Sequence, residues 1–245
     1  MTQLLVSVRN AAEAVLAYEA GANLIDVKEP ARGALGAVDP SALSSVVETL
    51  ACHAPVSAAL GELLDESPVL RAAELAGLTF AKFGLAGCGA RSDWVELWRA
   101  RIDHFPCGVV PVAVVYADAT AMAPSPLEVL AAAEAVGASV VLVDTYDKPS
   151  GPLLTHWTTA ETEHFVIRVH DAGLKIALAG SLDSMAIRKL LPAGPDIIAV
   201  RGAACRGGRN GPLDPSCVMR LAELLGSRQV RDFAPVLTTQ DIPPC

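Results

Sequence analysis

Eight short apolar runs recur along this chain, and a segment of helical composition follows each of them at a nearly constant spacing. The runs fall at residues 4–8, 23–28, 56–60, 79–84, 109–116, 139–144, 175–180 and 196–201. They are rich in valine, isoleucine, leucine and alanine, with little of the in–out alternation expected of a sheet wetted on one face. Strands of that kind are buried on both faces, which means a parallel sheet covered by helices. The intervening segments carry helix punctuation. Asn10 can cap a helix over 11–20 that Gly21 closes, and Asp39-Pro40 opens one over 40–51. Further helices are expected over 67–76, 93–104, 124–136 and 158–172, from 183 onward, and over 214–226. Eight such units in about 225 residues predict a single-domain α/β protein, a (β/α)8 TIM barrel over residues 1–226. An open doubly wound sheet is the competing architecture. It is disfavoured because no G-x-G-x-x-G follows the first strand. Residues 227–245 hold three prolines and weak periodicity, and are expected to form a peripheral C-terminal tail.

In a barrel of this type the active site gathers at the C-terminal ends of the strands. Several of the runs end there on charge. Asp26 and Lys28 close the second run, and their spacing of two puts them on one face. Lys82 lies in the fourth run, Asp118 follows the fifth, Asp144 ends the sixth and Lys148 sits in the loop after it. Alternate strands feed the same interior layer, so strands two, four and six should bring these groups into one pocket. A charged network that merely closes the barrel mouth is the plain alternative. Lysine usage sharpens the choice. Of 19 basic residues only five are lysine: Lys28, Lys82, Lys148, Lys175 and Lys189. A chain that takes its surface charge from arginine has reason to keep a lysine where an amine must lose its proton, which a guanidinium cannot do. Lys175 opens its strand, on the opposite face of the barrel, and Lys189 belongs to a solvated helix.

A second constellation pairs Gly180 and Ser181 with Arg201, Gly202 and Ala203, in the loops after strands seven and eight. Barrels commonly bind phosphate there through backbone N–H groups at a helix start. The alternative is a pair of tight turns with a helix cap. Arg206 and Arg209, in a glycine-rich loop, and Arg32 give weaker hints of anion contacts. A phosphate site beside clustered lysines and carboxylates suits Schiff-base chemistry on a carbonyl phosphate, since a lysine beside another cation loses its proton more readily. A divalent-metal site built from Asp26, Asp118 and Asp144 competes, but the lysines at the same mouth would oppose a metal's charge.

Composition excludes other classes. The net charge of −8, without any basic run, argues against nucleic acid as a partner. No apolar run reaches about 18 residues and no basic-then-apolar leader is present, so a cytoplasmic protein with no membrane span is expected. The six cysteines show no C-x-x-C pair and read as free, small apolar residues; the five histidines lack metal-binding spacing. No metal and no cofactor are expected. A homo-oligomer is compatible with the sequence.

Motifs along the whole barrel resemble one family. They are Asp26-Val27-Lys28-Glu29-Pro30 with Gly33 and Gly36, Ala81-Lys82-Phe83-Gly84, Tyr116-Ala117-Asp118-Ala119, Val143-Asp144-Thr145 with Lys148, Ala179-Gly180-Ser181, and Arg201-Gly202-Ala203-Ala204-Cys205. In this order, from about residue 4 to 225, they resemble the (5-formylfuran-3-yl)methyl phosphate synthase family, the 4-(hydroxymethyl)-2-furancarboxaldehyde-phosphate synthases of methanofuran biosynthesis. The resemblance implies a barrel lyase that joins two molecules of the triose phosphate glyceraldehyde 3-phosphate with loss of phosphate and water. Carried over by position, Lys28 would form the Schiff base and Lys82 would accept a proton, with Asp26, Asp144 and Lys148 as pocket partners. The Ala- and Arg-rich composition and the C-terminal extension depart from the archaeal pattern and resemble a bacterial version serving a methanofuran-like C1 cofactor. From the residues alone, another Schiff-base or metal-assisted sugar-phosphate aldolase and a non-catalytic phosphate-metabolite sensor stay open.

Overall fold

A computed structural model describes residues 1–65 and 70–226 of the chain. Its eight strands are β1 (Gln3–Val8), β2 (Leu24–Val27), β3 (Val56–Glu62), β4 (Phe80–Gly84), β5 (Val110–Tyr116), β6 (Val140–Asp144), β7 (Lys175–Leu178) and β8 (Ile197–Val200). Each pairs in parallel with the next, and β8 returns to β1 through Leu5↔Ala199 and Val6↔Val200, so the sheet closes into the expected barrel. The helices are α1 (Ala11–Glu19), α2 (Pro40–Leu50), α3 (Trp94–Ile102), α4 (Pro126–Ala133), the single turn α5 (Leu153–His156), α6 (Thr159–Asp171), α7 (Ser184–Leu190) and α8 (Pro215–Leu224). Their starts follow from side chains that satisfy orphan N–H groups. Asn10 accepts from Glu13 N at 3.0 Å. Thr158 and Glu161 form a reciprocal capping box before α6.

The expected helix over 67–76 is not formed as such. Residues 66–69 lie outside the described residues, and from 70 to 76 the chain makes one 3-10 turn, Ala72–Glu74. Glu74 folds back to accept from the Arg71 N–H at 2.6 Å, and Gly77 then stops the segment at φ +83°. So short a stretch gains too few hydrogen bonds to repay helix nucleation, despite its good helix formers. The thiols of Cys52, Cys88, Cys205 and Cys217 are free as expected, whereas Cys107 is disulfide-bonded. The tail 227–245 lies outside the described residues. Among those described, no helix is long and apolar enough to cross a membrane.

Apolar side chains separate into two layers. One lies between sheet and helices, with Ile25, Val27, Val143, Val166, Leu178 and Val218 all buried. The other fills the barrel, with Leu5, Leu24, Phe80, Val112, Leu142 and Ile197. The strand period of two sends one set inward and the other outward. Toward the C-terminal ends of the strands the inward set turns polar, and toward β7 and β8 it turns small, with Ala177, Ala179 and Ala199.

Candidate functional site

Registers set the height of each inward residue. Ser7, Asp26 and Ser57 are paired across β1, β2 and β3, one layer above Leu5 and Leu24. Lys82 is paired with Ala59, one layer higher on β4. Its long side chain bends back. Lys82 Nζ donates to Asp26 Oδ1 and, at 2.7 Å, to Ser57 Oγ. Ser7 Oγ donates to the other carboxylate oxygen of Asp26 at 3.1 Å. The result is a continuous, buried polar chain across four strands. Burial works to raise the Asp26 carboxyl, but the charges of Lys82 and Lys28 and these hydrogen bonds outweigh it and hold it below the usual carboxylate range.

Across the barrel a second pair forms. Lys148 Nζ donates to Asp144 Oδ1 at 2.6 Å, to Thr145 O at 2.6 Å and to Thr145 Oγ1 at 3.1 Å. Asp144 also accepts from Thr145 N at 2.8 Å. Burial again acts upward on this carboxyl, and the charges of Lys148 and Lys28 prevail and hold it down.

Lys28 stands between the pairs. It follows β2 directly and is 9 % exposed, yet among the described residues no hydrogen bond or ion pair holds its Nζ. Desolvation dominates its titration and lowers it to about 8. The charges of Asp144 and Asp26 oppose the shift, and those of Lys148 and Lys82 reinforce it. With that value about a tenth of Lys28 is free amine at pH 7, far more than for an ordinary lysine. Acylation of Lys28 by acetic anhydride, followed by mass spectrometry of its peptide, is therefore expected to quicken about tenfold per pH unit up to about pH 8 and then level off. A rate still climbing tenfold per unit at pH 9 would contradict this environment.

Lys28, Lys82, Lys148, Asp26 and Asp144 all line one cavity of about 470 Å³. The cavity sinks into the barrel, where Ala177 and Ala199 leave room, and its lower wall is apolar. Asp118 does not join the other two aspartates. It accepts from Tyr146 N at 2.6 Å and Asp147 N at 2.9 Å, which anchors the loop after β6. Among the described residues no three His, Cys, Asp or Glu side chains are placed to share a metal ion.

Gly180, Ser181, Gly202 and Ala203, in the loops after β7 and β8, line the same cavity. Their four N–H groups make no hydrogen bond within the described residues. Gly180 and Ser181 take successive positive φ values of +89° and +53°. A side chain at Gly180 would also press a Cβ to 3.0 Å from Leu153 and 3.1 Å from Thr145. Arg201 behaves otherwise than expected of an anion ligand. It is buried, and its guanidinium donates to Glu13 at 2.6 and 3.2 Å and to the carbonyls of Ser7, Arg209 and Gly211 at 3.0 Å each. Those five bonds use all five of its donors.

The 4-HFC-P synthase family model matches residues 4–222, which takes in every one of these groups. The chain belongs to the 4-HFC-P synthase family. Membership in a synthase family makes it an enzyme. Similar relatives include the (5-formylfuran-3-yl)methyl phosphate synthase of Methanopyrus kandleri, 37 % identical over 236 residues that cover 91 % of this chain and 98 % of the relative. The protein of the same name from Methanothermobacter thermautotrophicus is 35 % identical over 233 residues, 91 % and 99 % of the two chains. Among solved structures, phosphoribosyl anthranilate isomerase from Thermotoga maritima superposes with a TM-score of 0.60 at 14 % identity, over 92 % of this chain and 100 % of that one. Its counterpart from Thermus thermophilus has a TM-score of 0.59 at 15 % identity, over 92 % and 99 %. At that identity the likeness speaks for the barrel alone. For a 4-HFC-P synthase family member, sequence reasoning overlooked Ser7, Ser57 and Glu13. Each is a polar residue set among apolar ones in a strand or on a helix, and that interruption was the available signal.

Proposed function

We propose that this enzyme condenses two molecules of glyceraldehyde 3-phosphate to (5-formylfuran-3-yl)methyl phosphate through a Schiff base on Lys28. One observation carries the reading: of the three lysines in the cavity, Lys82 and Lys148 are ion-paired and Lys28 is not, with its proton held at about pH 8. In the proposed sequence the free amine adds to the aldehyde carbon of one triose phosphate and water leaves, forming an iminium. That cation acidifies the neighbouring C–H. Lys82, once it has passed its ion-pair proton to Asp26, is the proposed proton acceptor. Expulsion of phosphate from the adjacent carbon uses the resulting enamine's electron pair and leaves a conjugated iminium with an electrophilic terminal carbon. C2 of the second triose phosphate, deprotonated beside its aldehyde, adds there, forming the carbon–carbon bond and restoring the enamine. Closure of the enol oxygen onto the second aldehyde, loss of two waters from the ring, and hydrolytic release from Lys28, which returns the water lost in forming the iminium, complete the furan aldehyde. Lys148 and Asp144, on the other side of Lys28, supply and remove protons in the dehydrations. The unpaired N–H groups of Gly180, Ser181, Gly202 and Ala203 are the proposed phosphate contacts. No metal or organic cofactor enters this scheme, and the product would serve synthesis of a methanofuran-like C1 cofactor in the cytoplasm.

The test is reductive trapping. Borohydride added with glyceraldehyde 3-phosphate is expected to leave a stable adduct on the peptide that contains Lys28, found by mass spectrometry. Absence of the adduct, or its appearance on another lysine, would sink the scheme.

A further inference from the structure

Arg201 directly follows β8, at the level where a barrel commonly meets its anion, yet every donor it has is engaged within the chain. Two of those bonds grip the carbonyls of Arg209 and Gly211, so Arg201 fixes the loop that follows it. The same loop carries Arg209 back to the site. Arg209 lies against Gly202, where an added Cβ would sit 3.7 Å from its backbone nitrogen. Its side chain lines the cavity that holds Lys28. It crosses the mouth to donate from Nη2 to Gly33 O at 2.8 Å, in the loop after β2. That is the only hydrogen bond its guanidinium makes among the described residues, and no carboxylate there lies within ion-pair distance. One of five donors is thus used by the chain. Burial acts to lower its titration, and the Asp144 charge across the cavity acts the other way.

A guanidinium held half-buried beside four unpaired N–H groups, with no carboxylate partner of its own, lacks a counterion. We infer that Arg209, not Arg201, is the side chain that binds the substrate's phosphate, reaching over the cradle formed by Gly202 and Ala203 while Arg201 holds its loop in place. This rests on the proposed function only in taking the substrate to be a phosphorylated carbonyl compound. Its planar fork can present two parallel N–H groups to phosphate oxygens, which an ammonium at the same position cannot do.

The experiment measures inorganic phosphate binding by calorimetry to the wild type, Arg209→Gln and Arg209→Lys. The expected result is an affinity about ten- to hundredfold weaker in Arg209→Gln, the range for loss of charge-assisted hydrogen bonds, with Arg209→Lys in between. Thermal melts of the same samples identify any variant that fails to fold, and the lysine form, which keeps the charge, then carries the comparison. Phosphate affinity unchanged in the folded variants, or no phosphate binding by the wild type, overturns the assignment. Borohydride trapping with unphosphorylated glyceraldehyde is run in parallel. If Arg209 fails as a phosphate ligand, wild type and variants still trap equally at Lys28. If the Schiff-base reading fails, none traps, while the phosphate affinities still report on Arg209.

Discussion

A Lys28→Arg variant is expected to lose turnover by roughly 10⁴-fold or more, the scale of removing a covalent nucleophile, while its melting temperature stays close to that of the wild type. Arginine keeps the positive charge between Asp26 and Asp144, so the electrostatic frame of the cavity survives. What it cannot do is give up a proton and attack a carbonyl. The comparison therefore separates charge from nucleophilicity. A purely anion-binding lysine would tolerate the exchange, and the variant would keep most of its activity. Product formation from glyceraldehyde 3-phosphate, followed by the ultraviolet absorbance of a furan aldehyde, is the measurement. Retention of even a tenth of the wild-type rate would return Lys28 to a binding role.

The second large effect concerns stability. Asp26→Ala should destabilise the barrel by about 3–5 kcal/mol, the cost typical of leaving one partner of a buried ion pair alone. Lys82 is 4 % exposed and, among the described residues, has Asp26 as its only carboxylate partner. Denaturant unfolding monitored by circular dichroism reads the loss. Replacing both partners with apolar residues, as in Asp26→Val with Lys82→Met, should recover much of it, because no buried charge is then left unpaired. A single variant as stable as the wild type would mean that Lys82 finds water or another carboxylate. The sign with pH follows from the depressed carboxyl of Asp26. Its contribution is fully present above the ordinary aspartate value near 3.9 and disappears as pH falls below that through the lower folded value.

Much of the architecture is legible in the chain itself. Near-continuous apolar runs announce strands buried on both faces, and the regular return of such runs leaves few topologies to choose from. The position of charge at run ends then points to one mouth, and the five groups Asp26, Lys28, Lys82, Asp144 and Lys148 do share one cavity. Pairing is what periodicity cannot supply. Spacing gives each residue a strand and a face, but nothing in it says that Lys82 bends back to Asp26, leaving Lys28 unpaired. Arg201 shows the same limit. Its loop position suits an anion ligand, and only the contact with Glu13, 188 residues away, discloses that its donors are spent. The segment before β4 went astray for a different reason. Helix composition over 70–76 is a local preference, too weak over so few residues to form a helix without a tertiary surface to hold it.

Arg201 has a consequence for when the protein becomes reactive. Its bonds to Ser7 and Glu13 stitch the end of the barrel to its beginning, and Arg209 ties that same late loop to Gly33. Lys28 owes its lowered proton affinity to surroundings drawn from β2, β4 and β6 inside a closed wall. A chain still emerging from the ribosome, with its last strand unmade, would hold an ordinary, protonated lysine at that position. On the proposed scheme, Lys28 therefore gains its free-amine character only with the final seam.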